Sequence, residues 1–154
     1  MNHTNPLDTL IEQSRKARDN AGRALASERQ SREQTAGQLE TLQRYRSEYC
    51  ERLQQAMRQG IDAATLDDYN RFIRSLETAI QRARDVLSQQ QERVESSSAH
   101  WRQRQRELSS FSALESRRTQ QEQQREQRRE RLLADEMTQN LLARRPAADE
   151  YNPS

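Results

Sequence analysis

The sequence predicts an all-α fold, two long helices forming an antiparallel coiled-coil hairpin in which the second helix overhangs the first. Three observations carry this. No proline occurs between Leu7 and Arg145, and glycine appears there only as Gly22, Gly37 and Gly60. Proline costs roughly 3 kcal/mol in a helix interior and glycine about 1 kcal/mol, so a chain that avoids both for this long is built as helix. On either side of Gly60 apolar residues recur every three and four positions, and the two stripes match when one is reversed. Apolar residues make up 31% and charged residues 32% of the 154, too polar a balance for a globular core. The sustained periodicity separates a coiled coil from a disordered chain of similar composition.

Residues 1–6 read as a disordered N-terminus, in which Asn5 and Pro6 already provide a cap and a first helical position. The first helix is expected over residues 7–58. Its apolar positions begin at Leu7, Leu10 and Ile11, pass through Ala17, Ala21, Ala24 and Leu25, and resume at Leu39, Leu42, Tyr45, Tyr49, Leu53, Ala56 and Met57. Ser27 to Gln38 is poor in apolar residues and contains Gly37, so the helix should be loosest there. Residues 59–64 form the turn, where Gly60 suits the left-handed conformation that ends helices. Asp62 can cap the next helix, or Thr65 can, with Asp68 at capping-box spacing.

The second helix, paired over residues 65–115, has the cleaner stripe: Leu66, Tyr69, Ile73, Leu76, Ile80, Ala83, Leu87, Val94, Trp101 and Leu108. Reversed, it faces the first helix with residue numbers summing to about 122, as an antiparallel pair of equal rise requires. Leu53 meets Tyr69, Tyr49 meets Ile73, Leu42 meets Ile80 and Leu39 meets Ala83. Trp101 falls opposite the small Ala21, and Ile11 opposite Phe111. An intermolecular coiled coil uses the same stripes and stays open at this point. Residues 116–145 form an unpaired polar overhang, where pairs such as Glu122–Arg125 support a lone helix by only a few tenths of a kcal/mol. Residues 146–154 read as a disordered tail.

The formal net charge of +2 leaves little for nucleic-acid binding, because arginine and acidic residues alternate along the chain instead of segregating. Cys50 is the single cysteine, so no internal disulfide forms. No leader is recognisable and no stretch is apolar enough to span a membrane, so the chain reads as cytoplasmic. Enzyme chemistry finds no support: His3 and His100 are far apart, phosphate-cradling glycines are missing, and no cluster has metal-ligand spacing. No cofactor is expected.

Two groups of apolar residues exceed what a two-stranded seam needs. Beside the seam near the turn lie Tyr45 on the first helix and Phe72, Ala79 and Val86 on the second, the last three spaced by seven. They either broaden the core at a fraying end or present an apolar, aromatic patch to a partner. On the overhang, Leu132, Leu133, Met137, Leu141 and Leu142 either dock a partner, with Leu133, Met137 and Leu141 as the stripe, or self-associate weakly.

Leu42-Gln43-Arg44-Tyr45-Arg46-Ser47-Glu48-Tyr49, the turn at Gly60 and Tyr69-Asn70-Arg71-Phe72-Ile73-Arg74-Ser75-Leu76-Glu77-Thr78-Ala79-Ile80 resemble the flagellar export proteins of the FliJ family. Trp101 followed by Leu108, and Asp135-Glu136-Met137, are similar as well, and the likeness runs from about Leu7 to Arg145. It implies a soluble stalk component of the flagellar type III export apparatus, similar to the central stalk of rotary ATP synthases. Such a stalk promotes ring assembly and activity of the export ATPase FliI, contacts the export-gate protein FlhA, and recycles export chaperones. Its implied place is cytoplasmic, peripheral at the flagellar basal body, with the ATPase regulator FliH and filament-type chaperones as further partners.

The same resemblance implies a gate-binding surface near the turn at Gln38, Leu42, Tyr45, Tyr49, Phe72, Leu76, Ala79 and Ala83. Ala83 departs from the larger polar residue of some members. The ATPase contact falls on the region from Gln13 to Ala24, without a specific motif. The alternatives are the equivalent stalk of a virulence type III secretion system and a generic coiled-coil scaffold or holdase.

Overall fold

A computed structural model describes residues 5–144. They form two helices, α1 (Pro6–Gln59) and α2 (Ala63–Ala143), and no strand is present among the described residues. The expected tail at 146–154 lies outside the described residues, as do residues 1–4 of the expected N-terminal segment. Asn5 and Pro6, by contrast, belong to the helix start. The Asn5 side-chain oxygen accepts the N–H of Leu7 at 3.1 Å, its carbonyl accepts that of Asp8 at 2.9 Å, and Pro6 is the first helical residue. Proline fits there because its missing N–H has no intrahelical partner to lose.

The turn is tighter than expected. Gly60 has φ of +83°, the only positive φ among the described residues, and its N–H bonds the Met57 carbonyl at 3.3 Å. Asp62, not Thr65, caps α2: its carboxylate accepts the Thr65 N–H at 3.1 Å and its carbonyl that of Leu66 at 3.1 Å. The Thr65 hydroxyl and then the Thr65 N–H hold the Asp62 carboxyl below its usual range. The aspartate therefore keeps its charge at the positive end of α2.

By packing, the described residues divide into Glu12–Leu108 and a second unit that joins residues 5–11 with 109–144. Within Glu12–Leu108 the helices run antiparallel in the expected register. Tyr49 meets Phe72, Arg46 meets Glu77 and Gly22 meets Trp101, and in each pair the residue numbers sum to about 122. Burial follows a strict three-four alternation. On α2 it runs through Leu66, Tyr69, Ile73, Leu76, Ile80, Ala83, Leu87, Gln90, Val94, Ser97, Trp101, Arg104 and Leu108, all buried or half-buried. On α1 it continues through the apolar-poor stretch as Leu25, Glu28, Arg32, Thr35, Leu39 and Leu42. The helix is unbroken there, and polar side chains fill the seam.

Four residues counted in the first stripe fall outside it: Leu10, Ala24, Tyr45 and Met57 are exposed, and Arg46, which follows Tyr45 at the seam spacing, is exposed as well. The core is thin. Ile80 is the most buried apolar residue at 3% exposed, and no large side chain is fully enclosed. Trp101 packs on Gly22, and the neighbouring Ala21 is buried. In the second unit Ile11 is buried and Phe111 half-buried, Leu10 and Leu114 are exposed, and every residue from Ala113 to Arg144 is exposed.

Candidate partner-binding surface

In an antiparallel two-helix seam, each helix contributes one row of residues to either flank. The heptad register puts Gln38, Tyr45 and Arg52 of α1 on the same flank as Phe72, Ala79 and Val86 of α2. The spacing of seven keeps Phe72, Ala79 and Val86 in a straight row. Leu76 and Ile80 lie beneath it, buried in the seam.

Tyr45 is 48% exposed, Phe72 42% and Val86 44%, high values for large apolar groups. The Phe72 ring packs on Tyr49 with centroids 4.3 Å apart and planes at 46°. Such a tilted pair adds about 0.5–1.5 kcal/mol beyond burial. The guanidinium of Arg52 sits 5.1 Å from the Tyr49 ring centroid, so Tyr49 is held by a cation as well as by Phe72. Towards the middle of the hairpin, Gly37, Gln38, Thr41 and Leu42 line an open groove, and nothing lies within 4 Å of a Cβ placed on Gly37. The opposite flank carries the Arg46–Glu77 ion pair at 3.3 Å, half-exposed and worth little in stability.

The structure therefore brings most of the expected surface together. Gln38, Tyr45 and Phe72 are exposed, while Leu42, Tyr49, Ala79 and Ala83 are half-buried with accessible edges. Leu76 is only 7% exposed, so it supports the row from below and offers a partner little surface. Sequence reasoning missed Arg52, although its place three residues after Tyr49 and seven after Tyr45 marks it as a neighbour of both.

On the far part of α2, Leu133, Met137 and Leu141 form one stripe at i, i+4 and i+8, and Leu132 and Leu142 fall to either side. All five are exposed, and Met137, Asn140, Leu141 and Arg144 line an open groove. Among the described residues no group of three or more His, Cys, Asp or Glu could hold a metal ion, and no helix is long and apolar enough to cross a membrane.

This arrangement has known counterparts. A family model described as flagellar FliJ protein matches residues 3–147. The chain belongs to the FliJ family. The flagellar FliJ protein of Salmonella typhi is 31% identical over 140 residues, covering 91% of this chain and 95% of that protein. The flagellar FliJ protein of Escherichia coli K12 is 30% identical with the same coverage. Among solved structures, a putative YscO homolog from Chlamydia trachomatis superposes with a TM-score of 0.64 over 89% of each chain. At 15% identity that likeness concerns the fold alone. FliJ membership makes the export reading of the Tyr45–Ile80 stretch a question about this chain's own side chains.

Proposed function

We propose that the chain is a stalk component of the flagellar type III export apparatus, which promotes ring assembly and activity of the export ATPase FliI and couples it to the export gate FlhA. One observation carries the reading at residue level. Phe72 and Val86, with Tyr45 beside them, stay open to solvent on either side of the half-buried Ala79, on a hairpin whose core is already closed by Leu76 and Ile80. Membership of the FliJ family supports assigning that row to the gate.

The stalk acts by binding, not catalysis, on the cytoplasmic side of the basal body. Its α1 region from Gln13 to Ala24 faces the ATPase. The stripe Leu133, Met137 and Leu141 is free to dock a helical partner, with FliH and filament-type chaperones as the candidates. Chaperone recycling belongs to the same proposal.

The test is the ATP hydrolysis rate of the cognate FliI as this protein is added, with ring formation followed by electron microscopy. Stimulation, with rings carrying central density, supports the stalk. A folded, helical sample that neither binds nor stimulates moves the weight to a scaffold with an unrelated partner.

A further inference from the structure

The seam is not uniform along Glu12–Leu108. Near the turn it is closed by Leu76, Ile80 and the Tyr49–Phe72 pair; at the other end it is closed by Ala21, Leu25, Leu108 and the packing of Trp101 on Gly22. Between them the register sets Thr35 against Leu87, Arg32 against Gln90 and Glu28 against Val94. Only one residue in each of the outer layers is apolar, and the middle layer has none.

Nor are these polar groups joined across the seam. The Thr35 hydroxyl donates to the Ser31 carbonyl of its own helix at 3.2 Å, a bond that tends to bend helices instead of linking them. The Gln90 side-chain oxygen is buried without a hydrogen-bond partner. The Arg32 and Glu28 side chains have neither an ion pair nor a hydrogen bond. An open hollow lined by Arg29, Arg32, Val94, Glu95, Ser98 and Arg102 reaches this part of the seam from one side. A polar seam layer that is satisfied across the interface specifies register, whereas an unsatisfied one costs stability and gives back none of it.

We propose that the mid-seam, Glu28–Thr35 against Leu87–Val94, is a compliant joint. There the helices part locally while the apolar segments on either side stay closed. Both helices run unbroken through it when the seam is closed; where the side chains part, each helix loses the packing that supports its backbone hydrogen bonds and opens locally, and the hairpin bends without losing its register. This inference does not depend on the identity of the partners.

Amide hydrogen exchange on the full chain tests it. Residues 28–35 and 87–94, corrected for intrinsic rates, should exchange at least about tenfold faster than residues 40–53 and 69–83. The segments around Ala21 and Trp101 should be protected like the turn-side segment. In R32L/Q90L, which restores an apolar layer, the mid-seam amides should slow towards the level of their flanks. Protection that is uniform along the wild-type helices, or that falls steadily from the turn to the far end, overturns the joint. Mid-seam exchange that stays fast in a folded R32L/Q90L overturns it too. The wild-type map is decisive by itself if that variant does not fold.

Discussion

Phe72 packs its ring on Tyr49 across the two helices, centroids 4.3 Å apart, while 42% of its surface stays in water. One residue thus serves the fold with one face and is free for a partner with the other. Tyr45, on the same flank, is more exposed and lies outside the seam.

These two residues separate binding from stability. Phe72→Ala should cost about 1–2 kcal/mol, the aromatic pair plus part of a buried ring, and lower the affinity for the export gate. Tyr45→Ala should change stability by no more than about 0.5 kcal/mol, as for an exposed side chain, yet weaken gate binding comparably. Denaturant melts followed by Trp101 fluorescence, with pull-down against the gate, check both. A Tyr45→Ala protein that binds normally removes the flank from the site.

The three glycines should respond differently to alanine. At Gly37 nothing lies within 4 Å of an added Cβ, so Gly37→Ala should stabilise by roughly 0.5–1 kcal/mol through helix propensity. At Gly60, with φ of +83°, the same change should destabilise by roughly 1 kcal/mol. At Gly22 a Cβ would stand 3.3 Å from the Trp101 indole nitrogen. Gly22→Ala should therefore forfeit the propensity gain and shift the tryptophan emission. Paired melting curves decide the order.

The Asp62 carboxyl is held below its usual range by Thr65, so its pH dependence has a definite sign. A depressed folded-state value means the cap's contribution is fully present above the ordinary carboxylate range. It is lost as pH falls through the lowered value. Asp62→Asn keeps a capping oxygen without the charge, and its stability near the turn should vary less below about pH 4. Exchange of the first α2 amides against pH measures this; identical profiles for the two proteins would contradict the assignment.

Leu133, Met137 and Leu141 are exposed, so nothing in the fold depends on them. The triple change to alanine should leave the melting temperature unchanged. If the docking proposal holds, FliH or chaperone binding falls at the same time. A large drop in melting temperature would mean that the stripe is covered in solution.

The sequence alone was enough for the two helices, the turn at Gly60, the antiparallel register and the surplus of apolar residues near the turn. Those features rest on local physics: proline and glycine avoidance sets helix length, and a three-four stripe has one complementary partner when reversed. It also narrowed the α2 cap to Asp62 or Thr65 without choosing, since each residue can accept the N–H two or three positions after it. The tertiary structure decided what spacing cannot express. Tyr45 and Arg46 are neighbours in sequence, and only the structure shows that the arginine reaches across to Glu77 while the tyrosine stays on the flank with Phe72. Leu76 belongs to the expected surface by position, yet Ile80 and the facing helix bury it. Gly22 looks like a weak point in a helix until Trp101 is found against it. The polar mid-seam reads as a gap in the apolar stripe, because periodicity counts hydrophobic residues. Whether polar residues in that gap reach a partner depends on geometry between helices, and Gln90 does not.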